Sequence, residues 1–318
     1  MKDKQHKMKQ RKDKSEKTKS LKLKFLKLKD KKKVAIVYRL HSSEAVSMAK
    51  KVAKKLLAKK IKVFTAPEQR QIDGTEMLIS SNDLKEMSLV IVLGGDGTYL
   101  RAVRLLRGQP VPILGFNMGF LGFLTAHNAD DAFAIIDETL KNKMVIQERA
   151  RIHTSIKLKT GRRLAFDALN DVVVERGSFS QLISTAIYYD GSLVNQIKAD
   201  GIIISTPTGS TAYSLAAGGP VMHPEVKALV LTPVAPHSLT SRPLIFPDHQ
   251  KLTLKLEKQT ATAHLIVDGQ KVLELSQDDE VTISRCEVNH VMIRKANHNF
   301  FELLKEKLKF GDRYASGT

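Results

Sequence analysis

Two stretches of the chain bring together the residue types from which phosphoryl chemistry is built. Gly94-Gly95-Asp96-Gly97-Thr98 follows the apolar run Leu89 to Leu93 and precedes a helical pattern, Tyr99 to Arg107. Glycines at a strand-to-helix turn admit positive φ and let backbone amides approach phosphate oxygens. A carboxylate among such amides repels phosphate unless it has work of its own, and taking the proton of an attacking hydroxyl is such work. Taken alone, the pentapeptide reads equally well as a tight turn in which Asp96 caps a helix. GxGxxG is absent, as is GxxxxGK followed by Ser or Thr, which disfavours Rossmann dehydrogenases and P-loop NTPases.

The second stretch is more specific. Asp200-Gly201 opens a strand, Ser205 to Ser214 crowds hydroxyls, glycine and Tyr213 together, and Gly218-Gly219-Pro220 closes the run. Ser210 or Thr211 is placed to cap a short helix whose Ala212, Ala216 and Ala217 permit close approach. Hydroxyl donors at a helix start suit a ribose or a phosphate. The plain alternative, a Ser/Thr-rich loop at a domain junction, does not need so long a pattern.

The elements that must hold these stretches follow from periodicity. Val34 to Tyr38, an amphipathic run from Glu44 to Lys59, and Ile61 to Phe64 read as strand, helix, strand; Val111 to Asn117 and Asp130 to Lys143 add a strand and a helix. Alternation of this kind predicts a mostly parallel sheet with its site at the carboxyl ends of the strands. After Val145 the texture changes to short strands with turn signals at Thr160-Gly161, Asp190-Gly191 and Asp268-Gly269, which predicts an antiparallel β domain. The fold class is therefore α/β plus all-β: a Rossmann-like α/β domain, an antiparallel β-sandwich, and a C-terminal helix, Phe300 to Leu308, returning to the first domain. The expected boundaries are 33–147 with 288–318 for the α/β unit and 148–287 for the β-rich unit.

The chain has 318 residues, enough to bury a large core without disulfides, and a formal net charge of +19. Residues 1–33 carry 16 Lys/Arg against 4 Asp/Glu. A segment so charged and so poor in apolar residues predicts a disordered tail over 1–32, whose removal leaves activity and stability unchanged. A polyanion anchor is the sharper alternative, but only Phe25 is available to stack on a base, so no specific nucleic acid is expected. One cysteine, Cys286, reads as a small buried residue in a reducing compartment; with no export signal and no long apolar run, the expectation is a cytoplasmic protein with no membrane partner.

Four motifs in order carry a family resemblance: Gly94 to Thr98, Asn170-Asp171-Val172-Val173, Asp200 to Pro220, and Thr232 to Leu239. On these motifs the chain resembles the NAD kinases, and the resemblance covers roughly Lys33 to Leu308. The resemblance implies transfer of a phosphoryl group from ATP or polyphosphate to the 2′-hydroxyl of the adenosine ribose of NAD, giving NADP. It implies Asp96 as general base with Gly97 against the substrate, and Asn170 and Asp171 on the nicotinamide-side ribose. Relatives commonly carry Glu where this chain has Asp171. Asp200 and the run Thr211, Ala212, Tyr213, Ser214, Leu215, Ala216 match dinucleotide contacts, some across a subunit interface, which implies a homodimer or homotetramer. Arg101, Lys198 and Gln270 match donor-phosphate or substrate positions. His223 is close in sequence to a binding motif but reads as a surface or structural residue, and Val267 to Gln270 reads by itself as a hairpin turn. No His, Asp and Glu grouping resembles a protein metal site, so a divalent cation, Mg²⁺ or Mn²⁺, is expected to ride on the donor phosphates. Lipid and sugar kinases that share the Gly-Gly-Asp-Gly segment, and a non-catalytic NAD- or polyanion-binding protein, are the competing readings.

Overall fold

A strand covered on both faces has no need to alternate, and Val34 to Tyr38, Leu89 to Leu93 and Ile113 to Asn117 are buried at every position. The computed structural model describes residues 23–28, 32–78, 81–177, 181–257 and 262–309. Strands β1 (Lys33–Tyr38), β2 (Lys62–Thr65), β3 (Glu76–Met77), β4 (Leu89–Leu93) and β5 (Ile113–Asn117) form a parallel sheet in the order β3-β2-β1-β4-β5. Helix α1 (Ser43–Ala58) connects β1 to β2 and turns Ala45, Ala49, Val52, Ala53 and Leu56 inward; Ser42 caps it by accepting from the Ala45 amide. A short α2 (Ser81–Lys85) leads into β4, and α3 (Asp96–Leu106) leaves it. α3 begins at Asp96, one turn earlier than its apolar pattern indicates, because the Gly95 carbonyl already accepts from the Thr98 and Tyr99 amides. The two-residue β6 (His127–Asn128) pairs with β5, and α4 (Ala132–Leu140) covers the sheet beyond it.

The strand β7 (Val145–Arg149) runs across the expected boundary at residue 147. Twelve strands then build the sandwich. One sheet of six contains β10 (Asp171–Arg176), β13 (Gly201–Ser205), β14 (Ala228–Val234), β15 (Leu244–Pro247), β17 (Ala263–Val267) and β18 (Gln270–Leu275). The other contains β8 (Ile152–Lys157), β9 (Arg163–Ala168), β11 (Ile183–Tyr189), β12 (Ser192–Ala199), β16 (Leu252–Leu256) and β19 (Glu280–Arg285). Alternate residues of both, among them Ile152, Val172, Ile187, Ile202, Leu254, Leu265 and Ile283, interdigitate in one core. The Asp-Gly turns are as the sequence indicates: Asp190, Gly191, Asp268 and Gly269 all adopt positive φ.

The chain then returns. β20 (His290–Arg294) inserts between β5 and β7 in the first sheet, parallel to β5 and antiparallel to β7. Helix α6 (Phe300–Leu308), capped by Asn299, buries Leu303 and Leu304 beside α4 and the end of β5. The four-residue α5 (Tyr213–Ala216) sits on the sandwich. No helix among the described residues is long and apolar enough to cross a membrane.

The N-terminal tail needs correction. Residues 23–28 lie along β7: Phe25 bridges Val145, the Leu26 amide donates to the Met144 carbonyl, and the Ile146 amide donates to that of Lys24. Leu26 is buried in the core of the α/β half, with Leu28 packed beside it, and Lys24 pairs with Glu148. An open sheet edge offers unpaired amides and carbonyls, and this short apolar run satisfies them despite the lysines around it. The remainder of the expected disordered segment, 1–22 and 29–31, lies outside the described residues.

Candidate active site

Asp96 stands at the carboxyl end of β4 as the first residue of α3. Its carboxylate is held by the loop after β5. Oδ1 accepts from the Leu124 amide at 3.1 Å, the Thr125 amide at 3.0 Å and the Thr125 hydroxyl at 2.9 Å; Oδ2 accepts from the Phe123 amide at 2.8 Å. A carboxylate has about four lone-pair sites. The crowding falls on Oδ1, so the remaining acceptor capacity is on Oδ2. Gly122 makes the clamp possible, since a Cβ there would stand 2.0 Å from Asp96 Oδ1.

The glycines of the motif act differently from the sequence expectation. None of Gly94, Gly95 and Gly97 takes positive φ. Gly94 is required because a Cβ would lie 2.4 Å from Thr98 Oγ1, whereas at Gly95 and Gly97 a Cβ would meet nothing within 4 Å. The motif therefore presents a bare, open strip of backbone next to Asp96, with Gly97 exposed.

The other half of the site is reached through Leu169, which is fully buried among Tyr99, Val103, Leu124 and Met292 of the α/β half. Asn170 and Asp171 follow directly, at the start of β10. Asp268, in the turn between β17 and β18, accepts from the Leu169 amide on Oδ2 at 2.9 Å and from the Asn170 and Asp171 amides on Oδ1 at 2.7 and 3.2 Å. The hairpin turn is thus also a carboxylate clamp. Asn170 Oδ1 is buried with no partner, an acceptor available to a donor from outside. Burial and the neighbouring Asp268 push the Asp171 carboxyl up to about 7.

The hydroxyl-rich stretch closes over this strand. Thr206 donates its hydroxyl to the Leu169 carbonyl at 2.6 Å and its amide to that of Asn170 at 2.9 Å. Gly209 packs so tightly that a Cβ would be 2.1 Å from the Asn170 carbonyl. Neither Ser210 nor Thr211 caps α5; the position before it is Ala212, without a side-chain cap. Instead the Ser210 hydroxyl bonds the Pro207 carbonyl and the Met222 amide, since a 3₁₀ turn over Gly209–Thr211 turns it inward. The Ser214 hydroxyl is likewise inside, 2.8 Å from Thr232 Oγ1. Tyr213 is exposed, and its hydroxyl is held above the ordinary range by burial and by Glu175, Asp200 and Asp171. That field puts Tyr213, Asp200 and Asp171 in one neighbourhood, with Asp200 paired to Arg176 at 3.2 Å. Thr211, Ala212 and Leu215 are half-buried beside it and Ala216 is exposed.

Four further sequence candidates have partners of their own. Arg101 donates to the Tyr38 carbonyl and pairs with Glu68, on the β1 side of α3. Lys198 lines a cavity of about 910 Å³ with Ser184, Tyr188, Lys255 and Glu257 on the outer face of the sandwich. Gln270 faces a separate cleft of about 500 Å³ with Arg104 and Arg107. His223 is edge-on to Phe300 at 5.2 Å and beside Phe301 at 5.6 Å, a packing role that joins the sandwich to α6. Cys286 is buried, and its thiol is pushed up to about 12, which makes it inert.

Sequence reasoning missed the loop Gly119 to Thr125 and the side chains supporting both clamps. A signal was present: Gly119-Phe120-Leu121-Gly122-Phe123-Leu124 places two glycines directly after a buried parallel strand, where sites of such sheets form.

Both halves of the chain have matches among known proteins. The ATP-NAD kinase N-terminal domain model matches residues 34–144 and the ATP-NAD kinase C-terminal domain model residues 169–295. An NAD kinase of Bdellovibrio bacteriovorus is 59% identical over 280 residues, 88% of this chain and 92% of that protein. One of Geotalea daltonii is 35% identical over 283 residues, 89% of this chain and 100% of that protein. Among solved structures, yeast NADH kinase complexed with NADH superposes with a TM-score of 0.83 at 26% identity, covering 90% of each chain. An NAD kinase from Archaeoglobus fulgidus in complex with ATP gives 0.69 at 26% identity, covering 86% of this chain and 98% of that one. With both family models matched in order and a relative 59% identical over most of its length, the chain belongs to the NAD kinase family, enzymes that phosphorylate NAD.

Proposed function

We propose that this enzyme transfers the terminal phosphoryl group of ATP or polyphosphate to the 2′-hydroxyl of the adenosine ribose of NAD, with Asp96 as general base. The ribose oxygen attacks phosphorus, its proton passes to Asp96 Oδ2, and the bond to the leaving phosphate breaks with its electron pair on the departing oxygen. The observation that carries this reading is the lightly loaded Oδ2 of a carboxylate otherwise fully clamped, set beside open backbone at Gly95 and Gly97. The free Asn170 Oδ1 and the Asp171 carboxyl supply acceptors for the nicotinamide-side ribose, and Asp200, Thr211, Ala212, Tyr213 and Ala216 border the dinucleotide. Because the Ser214 hydroxyl bonds Thr232, its support is indirect, through packing. Arg101, Lys198 and Gln270 have a weaker claim.

Among the described residues no group of three or more His, Cys, Asp or Glu is placed to hold a metal ion, so these side chains do not form a metal cage. A divalent cation, Mg²⁺ or Mn²⁺, bound with the donor phosphates would neutralise part of their charge. A homodimer or homotetramer is supported by the exposed Tyr213, in the run that the family resemblance links to dinucleotide contacts across a subunit interface.

The test is acceptor specificity. Purified protein given NAD, Mg²⁺ and ATP or polyphosphate is expected to form NADP, while NAD lacking only the adenosine 2′-hydroxyl binds and accepts no phosphate. Transfer to the 2′-deoxy analogue, or to a diacylglycerol or fructose 6-phosphate at a comparable rate, overturns the assignment.

A further inference from the structure

Arg294, at the end of β20, has no solvent exposure, and among the described residues it forms no ion pair. An unpaired guanidinium is costly to bury unless its donors meet fixed acceptors. Its Nη2 donates to the Phe123 carbonyl at 3.0 Å and to the Leu124 carbonyl at 3.0 Å, and its Nη1 to the Ile293 carbonyl at 3.3 Å. Phe123 and Leu124 belong to the loop that clamps Asp96.

The geometry of the peptide units is the telling feature. The unit that offers the Phe123 carbonyl to Arg294 offers the Leu124 amide to Asp96 Oδ1. The next unit offers the Leu124 carbonyl to Arg294 and the Thr125 amide to the same Oδ1. Two consecutive peptide dipoles therefore lie side by side, each bridging the cation to the anion. Hydrogen bonds in series polarise one another, so the cation strengthens both amide donors. Leu124 and Thr125 of this loop are buried, but its other backbone bonds are weak: the Gly122 amide reaches the Thr125 carbonyl at 3.4 Å, Asn117 Nδ2 reaches that carbonyl only at 3.5 Å, and Phe120 is 97% exposed. Arg294, by contrast, is carried on a strand paired on both sides, between β5 and β7.

We propose that Arg294 is a positioning residue for Asp96, acting through the Phe123–Leu124 and Leu124–Thr125 peptide groups to hold Oδ1 fixed and leave Oδ2 to the substrate. This rests on Asp96 being the base. It makes the insertion of β20 into the first sheet part of the catalytic design: residues almost two hundred positions apart set the orientation of one carboxylate. Misplacing a catalytic group by about 1 Å can cost about 100-fold in rate.

The test is steady-state kinetics on Arg294→Met, Arg294→Lys and the double variant Asp96→Asn/Arg294→Met. Arg294→Met is expected to lower kcat by about 10- to 100-fold with KM for NAD changed less than about threefold, since Arg294 touches none of the residues proposed to hold the nicotinamide-side ribose. Arg294→Lys, which keeps the charge, is expected to recover part of the loss. The double variant should be no slower than Asp96→Asn alone, because a residue acting through Asp96 has nothing left to position. A folded Arg294→Met with wild-type kcat, a loss confined to KM, or a loss that multiplies onto that of Asp96→Asn overturns the proposal. Should the Met variant not fold, the Lys variant decides: reduced kcat at unchanged KM supports the inference and wild-type kcat overturns it. An Asp96→Asn enzyme with normal turnover would sink the base assignment itself, a result separable from these.

Discussion

Asp96, at the end of a strand of the α/β half, and Asp268, in a turn of the sandwich, are held by the same device and left in different surroundings. Each carboxylate collects three consecutive backbone amides. Asp268 is buried, its Oδ1 and Oδ2 are engaged on Leu169, Asn170 and Asp171, and burial holds its carboxyl above the usual range in spite of those donors. Asp96 is only half-buried and accepts the extra Thr125 hydroxyl on the oxygen that is already crowded. The comparison teaches that amide clamping by itself does not mark a catalytic group. What separates the two is exposure: each has one oxygen with a single donor, but Asp268 is buried whereas Asp96 is half-buried beside open backbone at Gly95 and Gly97.

The sharpest way to break this contrast is Asp96→Asn. It keeps the shape and much of the clamp while removing the proton acceptor, so kcat should fall by about 10² to 10⁴ with NAD affinity nearly unchanged by calorimetry. A loss of affinity instead would make Asp96 a binding group like those of the sandwich half. Asp268→Asn should give the converse pattern. The remaining oxygen keeps the Asn170 and Asp171 amides but the buried Leu169 amide is left unmet, so we expect about 2–3 kcal/mol lower stability in urea titrations and a raised KM for NAD, with kcat on the folded fraction preserved. Equal damage to kcat would show that both clamps serve the reacting atoms.

The two halves also differ in how their sheets are completed, which Leu26→Ala tests. The α/β half borrows Leu26 from the N-terminal segment, while the sandwich core draws only on its own strands. The substitution should cost about 2 kcal/mol of stability without lowering kcat, and deletion through residue 28 should cost more. Unchanged melting after the deletion would restore the view of the whole segment as dispensable.

The smallest expected effect concerns Asp171. Its folded value of about 7 lies above the ordinary 3.8, so between those limits the folded protein binds more protons than the unfolded one. Stability from this group is therefore greatest at low pH, is lost as pH rises through about 7, and stays lost above it. Asp171→Asn should raise Tm by a few degrees near pH 8 and leave it almost unchanged near pH 4. A variant that melts lower at pH 8 would mean that Asp171 is stabilised as an anion.

Local pattern alone determined much of this protein. Apolar runs such as Leu89 to Leu93, the helical face of α1, the Asp-Gly turns and the two hydroxyl- and glycine-rich motifs are encoded within a few residues of themselves, and they specify an α/β half, a β half and Asp96 as the group to watch. The structure alone decided what those groups touch. The placement of β20 between β5 and β7 pairs strands far apart in sequence, and nothing near His290 or Val145 announces the partner. The Asp96 clamp needs the loop after β5, and its backing needs Arg294. The hydroxyls of Ser210 and Ser214 look from sequence like ligand donors and turn out to bond inward, to Pro207, Met222 and Thr232. Lys-rich composition concealed a packed segment because burial of Leu26 depends on an edge that β7 leaves open. Periodicity records which face of an element is covered. Which distant atoms do the covering, and so which oxygen is left free, is set only when the sheets close.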